Sequence, residues 1–198
     1  MFLSPLRLIS WLLGLLIIGV PLAALGFFLL AVLGNPGSCE AEGRPISYEP
    51  ARAISFQQKW DQLNGALNAG QLSTVVFDEE EVTARSRLWV DEHEVPVSEL
   101  FVCFHADGGA ASGKVDIPFF PGDVDVLVRG TVDLRGERPE VTIEEIEMGA
   151  LPGPLADVVK TTIESLIDDQ TEELELRHDY GVAFADGEVT ISGQPELR

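Results

Sequence analysis

The feature that most constrains this chain is a run of 26 residues, Leu8 to Leu33, without a single charged side chain. As a helix rising about 1.5 Å per residue, the run would reach roughly 39 Å, whereas the hydrocarbon core of a bilayer is ~30 Å thick. The run therefore predicts a membrane-spanning helix through residues 8–33.

The charges that flank this run predict its orientation. Arg7 precedes it, and Glu40 and Glu42 follow it closely. Positive charge is retained on the cytoplasmic side, so we expect a single pass through the cell membrane with the N-terminus in the cytoplasm and the rest outside. The predicted parts are a cytoplasmic tip with the anchor at 1–38, a stalk at 39–50 and an extracytoplasmic α+β domain at 51–198.

Cleavage of the N-terminal segment is the alternative to an anchor. A signal peptide has an apolar region of about 7 to 15 residues, much shorter than this run. A lipoprotein processing site would need an aliphatic residue three positions before Cys39, and Pro36 stands there. Both observations favour an uncleaved anchor.

Acidic residues dominate the remainder of the chain. Residues 1–38 contain no Asp or Glu, so all 33 acids and 12 of the 13 bases lie in the following 160 residues, and the whole chain carries a net charge of -20. Such a field repels phosphate backbones, which excludes nucleic acid as a partner. The length after residue 38 suits one domain with a hydrophobic core of its own.

The two cysteines, Cys39 and Cys103, support the same compartment. In an exported domain two cysteines most often form one disulfide, and burial of Cys39 as a free thiol is disfavoured by its place in a polar loop. We therefore predict a Cys39–Cys103 bond, with two buried free thiols as the alternative.

Local patterns predict a helix, a strand and a second helix at the start of the domain. Apolar residues have helical spacing between Ala51 and Ala69, and a β-branched strand covers Leu72 to Phe77. Asp78 followed by Glu81 has the spacing of a capping box, which predicts that a helix begins there.

Strands dominate the rest of the domain. They are predicted at Leu100–His105, Lys114–Ile117, Val124–Leu134 and Val141–Met148, followed by a hairpin from Leu174 to Ile191 that turns at Asp186-Gly187. The apolar phase slips by one residue at Glu144-Glu145, which predicts a β-bulge that bends the sheet.

A long amphipathic helix from Pro154 to Asp168 interrupts these strands, with apolar residues on one stripe. We expect this stripe to face the apolar side of the sheet and to form a groove there. The predicted groove residues are Val124, Val126, Val128, Ile143, Ile146, Leu155, Val159, Ile163 and Leu166.

No pattern of catalytic or metal-ligating residues is present. The chain has no nucleophile elbow, phosphate-binding glycine loop, dinucleotide fingerprint or paired metal-ligand spacing, so we expect neither enzymatic activity nor a cofactor or metal. Phe119 and Phe120 form an apolar loop tip. They either close the end of the core or form a tip that dips into a membrane or gates a ligand.

The order of elements resembles the tubular lipid-binding (TULIP-like) superfamily, in particular bacterial membrane-anchored proteins of uncharacterised function. The resemblance covers roughly Ser73 to Gln194 and rests on three stretches: Val141 to Gly149, the Leu151-Pro152-Gly153-Pro154 start of the helix, and Gly187 to Gly193. It implies a helix packed inside a rolled sheet, with acyl chains held between them, and it implies no catalytic residue.

The resulting fold prediction is an α+β protein, with one N-terminal transmembrane helix followed by a curved antiparallel sheet packed around a long amphipathic helix. Two functions remain open. The first is a membrane-tethered extracytoplasmic domain that binds a lipid or other apolar ligand without catalysis. The second is a structural or accessory subunit of a larger membrane complex, with a membrane-protein partner, a filled core and no ligand.

Overall fold

The computed structural model describes most of the domain that follows the apolar run. The described residues are Cys39, Ile46, 49–116, 122–149, 156–161, 163–165, 167 and 175–195. The predicted span at 8–33 lies outside them, and none of the helices within them is both long and apolar enough to cross a bilayer.

The described elements confirm an α+β fold with antiparallel strands. They are α1 (Pro50–Asn68), β1 (Ser73–Asp78), α2 (Glu79–Glu92), β2 (Val97–His105), β3 (Gly108–Asp116), β4 (Asp123–Asp133), β5 (Glu140–Met148), β6 (Asp179–Ala185) and β7 (Glu188–Gln194). Residues 156–161, 163–165 and 167 are also helical, and we call them α3.

The strands form two sheets, where the sequence predicted one curved sheet. A small sheet has the order β1-β7-β6, and a large sheet has the order β2-β3-β4-β5, with every neighbouring pair antiparallel. A single bridge between Leu134 and Tyr180 connects the end of β4 to β6. The sheets also meet at β2, where the Gly187 N–H donates to the Phe104 carbonyl at 3.1 Å.

Helix α1 packs against the small sheet and closes the main core. Proline at its first turn suits a position whose N–H has no helical partner. Leu63 and Phe77 are fully buried between the helix and the sheet, and the ring of Trp60 stacks on Tyr180 with centroids 5.3 Å apart. The predicted helix at 51–69 is confirmed to within one residue at each end.

Helix α2 begins with the predicted capping box. The Glu81 N–H donates to the Asp78 carboxylate at 2.8 Å, and the Asp78 N–H donates to the Glu81 carboxylate at 3.1 Å. These bonds satisfy backbone donors that the first helical turn leaves free.

The predicted β-bulge is confirmed in β5. Arg129 pairs with Glu145, but the next residue, Gly130, pairs with Ile143, so Glu144 is the extra residue. Directly opposed residues of an antiparallel pair share a face, and Ile146 and Ile143 therefore both lie on the face of the sheet that α3 covers.

Three predicted strands begin several residues away from the predicted positions. The strand predicted at 100–105 is β2, which begins at Val97. The strand predicted at 114–117 is β3, which begins six residues earlier, at Gly108. The last hairpin begins at Asp179 instead of Leu174, because Leu176 bonds outside the sheet: its N–H donates to the Glu137 carbonyl at 2.8 Å.

Candidate functional site: an apolar cavity on the large sheet

The large sheet has two differently covered faces. On the outer face, Cys103, Ala110 and Leu127 are buried under Cys39 and Ile46. The predicted disulfide is present, with the Cα atoms of Cys39 and Cys103 5.6 Å apart. Cys39 and Ile46 therefore cover this part of the outer face.

The inner face of the large sheet lies under α3. Val159 and Ile163 of the helix are buried against Val115, Val124 and Val126 of the sheet. This part of the inner face is a filled core, as the stripe of apolar residues on α3 predicts.

A cavity of about 500 Å³ lies next to this filled part, over the same inner face. Volumes of 300–1,000 Å³ are typical of small-molecule pockets. Its lining comes from α2, all four strands of the large sheet, α3 and β6. The main lining residues are Trp89, Val90, Val97, Leu100, Val102, Phe104, Gly109, Ala111, Gly113, Val126, Val128, Val132, Val141, Ile143, Ile163, Ile167 and Phe184.

The predicted groove residues divide between the cavity and the filled core. Those that line the cavity are Val126, Val128, Ile143 and Ile163. Val124, Ile146 and Val159 lie in the filled cluster beside it. Leu155, Leu166, Phe119 and Phe120 lie outside the described residues. Whether a ligand occupies the groove stays a prediction.

The sequence analysis missed the half of the cavity that β2, β3 and α2 supply. Val102 and Phe104 belong to the strand predicted at Leu100–His105, which is apolar on both faces, but the sequence did not identify its partner strands. Ala111 lies in a stretch that lacks β-forming residues, and Trp89 lies in the last turn of α2, whose position depends on the tertiary fold. Only the two-sided apolar pattern of β2 could have pointed to this half.

A ladder of side chains holds α2 against β2, which is an edge strand of the large sheet. Three α2 residues, each four positions after the last, hydrogen-bond the free edge of β2. They are Glu79, Thr83 and Arg87, and their partners are the backbone groups of Phe104, Val102 and Leu100, respectively. Unpaired strand edges are sites of unwanted pairing, and this ladder covers one of them.

The geometry of the ladder suits each backbone group in turn. The Phe104 N–H donates to the Glu79 carboxylate at 2.8 Å, and the Val102 N–H donates to the Thr83 hydroxyl at 2.9 Å. The Thr83 hydroxyl donates in turn to the Val102 carbonyl at 3.3 Å. The ladder sets the position of the C-terminal half of α2, where Trp89 lines the cavity.

Arg129 is the one charged residue in the described cavity lining, and its side chain lies on the outer face of the sheet, because Arg129 pairs with Ala110 of that face. Its guanidinium forms ion pairs with Glu147 and, at 3.1 Å, with Glu145. The hydrogen bond that Arg129 donates to Glu147 raises the pKa of Arg129; desolvation opposes this rise, and the bond donated to Glu145 adds to it. The cavity therefore offers no free charge to a ligand from its described lining.

A buried carboxylate, Glu81, links α1 to α2 away from the cavity. Its side chain is 2% exposed and accepts hydrogen bonds from the Lys59 ammonium at 2.7 Å and the Ser55 hydroxyl at 2.6 Å. Burial by itself raises the pKa of Glu81, but the bonds from Lys59, Ser55 and the Asp78 N–H outweigh it, so its pKa is lowered overall. The carboxylate thus stays ionised as a structural link.

Comparison with known proteins adds no functional assignment. No family model matches the chain, and no curated protein is similar to it. Within the described part of the chain, no three His, Cys, Asp or Glu side chains come close enough together to hold a metal ion.

Proposed function

We propose that this protein is a membrane-tethered extracytoplasmic domain that binds one lipid or other apolar chain without catalysis. The observation that carries the proposal is the cavity of about 500 Å³ on the inner face of the large sheet, whose lining side chains are almost all apolar. A large apolar pocket is the first place to expect a ligand in a domain of this size.

The compartment in this proposal is supported by two features. The uncharged run at 8–33 predicts a membrane anchor. The Cys39–Cys103 disulfide favours an oxidising environment, since such bonds are rare in the cytosol. A domain on the outer side of a cell membrane satisfies both.

The binding energy expected from the cavity is modest. Burial contributes about 0.8 kcal/mol per methylene, so about a dozen methylenes would contribute about 10 kcal/mol. An association cost of at least about 4 kcal/mol leaves about 6 kcal/mol, which corresponds to a dissociation constant on the order of 0.1 mM. A tether raises the effective concentration of bilayer lipid to the millimolar range, where this affinity is sufficient.

Replacement of Val128 by Trp tests the proposal, because Val128 lines the cavity and is only partly buried. In a ligand site, the indole should fill the space, leave folding nearly intact and abolish the lipid that co-purifies with the wild-type chain. Val76→Trp is the matched control, since Val76 is 41% exposed on the small sheet. Native mass spectrometry of the full-length chain measures the bound lipid.

The opposite result would support the accessory role instead. In a site that side chains fill, Val128→Trp would overpack and destabilise the domain by about 1–3 kcal/mol. Wild-type protein without bound lipid, combined with such destabilisation, would refute the binding proposal. A stoichiometric protein partner retained in mild detergent would then identify the protein as a subunit of a complex.

A further inference from the structure

The floor of the cavity is a row of positions on β3 that have almost no side chain. Gly109, Ala111 and Gly113 all line the cavity, and they pair with Gly130, Val128 and Val126 of β4, respectively. Alternate residues of a strand share a face, so these three form one continuous row on the inner face.

Larger side chains stand on both sides of this row. On β2, Val102 and Phe104 are opposite Ala111 and Gly109. On β4, Val126 and Val128 form the other wall. The two walls face each other across Ala111; at Gly109 the β4 neighbour is Gly130, and at Gly113 the Val97 side chain lies close by. Strands lie about 4.8 Å apart, so these side chains border a lane one strand wide along β3, and at about 3.4 Å per residue its length from 109 to 113 is about 14 Å.

Gly109 is not a glycine that the backbone requires. A Cβ atom there would meet its nearest neighbour, a carbon of the Phe104 ring, at 3.6 Å, which is ordinary contact. Gly130 differs, because a Cβ atom there would collide with the Thr142 carbonyl across the bulge. A glycine within a strand weakens it and often marks a place where a ligand comes close.

From this arrangement we infer that one linear, unbranched hydrocarbon chain binds in the lane along β3 and passes over Ala111, and that the length of the lane limits the length of the chain. The inference rests on the proposed function and adds the shape and size of its ligand. A zigzag carbon chain advances on the order of 1.3 Å per carbon, because its single bonds are about 1.5 Å long. The lane therefore accepts about eleven carbons.

Linear 1-alkanols of four to fourteen carbons provide the test. Their binding to the full-length chain, kept in solution by an amphipathic polymer, is measured as displacement of Nile red, with polymer alone as the blank. Wild-type affinity should rise about fourfold per added methylene and level off near eleven carbons. A branched alcohol of equal carbon number should bind at least tenfold more weakly, since the lane is one chain wide.

In Ala111→Leu, the increase in affinity with alkanol length should stop about five carbons earlier than in the wild type, because the leucine side chain would block the middle of the lane. Ala183→Leu is the matched control: Ala183 is exposed on the small sheet, so the length dependence should not change. Gly109→Ala is a milder variant whose methyl group fits at ordinary contact distance, and it should end the rise one or two carbons earlier.

The outcomes separate the two proposals. If wild type binds no alcohol of any length, the proposed function fails. If wild type binds but folded Ala111→Leu keeps the wild-type length dependence, the lane is not the seat of the chain, and only this inference is overturned. Should Ala111→Leu not fold, an unchanged length dependence in Gly109→Ala would overturn it equally.

Discussion

The central contact of the ladder between α2 and β2 is Thr83, and its replacement by valine should destabilise the domain by about 2–3 kcal/mol. Thr83 is fully buried, and its hydroxyl bonds both the N–H and the carbonyl of Val102, at 2.9 and 3.3 Å. Valine keeps the shape but removes both bonds. Each buried polar group left without a partner costs about 1–3 kcal/mol, and the longer bond to the carbonyl contributes the smaller share.

Urea unfolding measures this loss as a lower midpoint at an unchanged slope. Thr83→Ser keeps the hydroxyl and should recover most of the stability. Thr74→Val removes a hydroxyl from an exposed position of β1 and should change stability by less than about 0.5 kcal/mol. If Thr83→Val unfolds within that same margin of wild type, the ladder does not hold α2 on the sheet, and the reasoning is refuted.

Two further predictions concern Glu81 and the disulfide. The pKa of Glu81 is lowered in the folded state, so its contribution to stability is complete above the unfolded pKa and is lost as pH falls through the folded pKa. Glu81→Gln should therefore lower the free energy of unfolding by about 1–3 kcal/mol near neutral pH and by progressively less below pH ~4.5. Equal losses from pH 3 to pH 7 in urea unfolding would contradict this prediction. Cys39→Ser opens a link between residues 64 positions apart and should cost about 4 kcal/mol, which dithiothreitol should reproduce in the wild type. Reactive thiols in native protein isolated under alkylating conditions would argue against the Cys39–Cys103 bond.

Features controlled by neighbouring residues could be predicted from the sequence. The capping box requires only Asp78 and Glu81 at the right spacing, and the bulge at Glu144 follows from a shift in the apolar phase of one strand. In both cases the physical cause lies within a few residues. Such patterns can therefore be recognised in the sequence without knowledge of the long-range contacts of the fold.

The floor of the cavity, strand β3, could not be predicted from the sequence. The sequence of β3, Gly108 to Asp116, contains few β-branched and no aromatic residues, so only its end was assigned as a strand. It is a strand because β2 and β4 pair with it on both sides. The lack of side chains that hides β3 from sequence analysis is the same property that leaves space above it.

The division into two sheets also depends on distant contacts. Strand β1 pairs with β7, which places Ser73 opposite Gly193 at the other end of the chain. Gly193 permits this approach because the side chain of Leu67 occupies the space that its own Cβ atom would need. No local pattern predicts a contact across such a separation, so the pairing of β1 with β7 follows from the tertiary fold alone.

The disulfide and the cavity lie on opposite faces of the large sheet. Cys103 faces outward, whereas its neighbours Val102 and Phe104 face the cavity. If residues 8–33 span the bilayer as proposed, Cys39 is six positions past Leu33. Even a fully extended connector would then hold the outer face within roughly 20 Å of the membrane surface. Because the bond contacts only the outer face, reduction should loosen the tether and lower stability while leaving the cavity lining in place. The tether and the ligand site can therefore be separated by experiment. If the reduced protein still binds alkanols, the disulfide positions the domain and the lane on β3 binds the ligand.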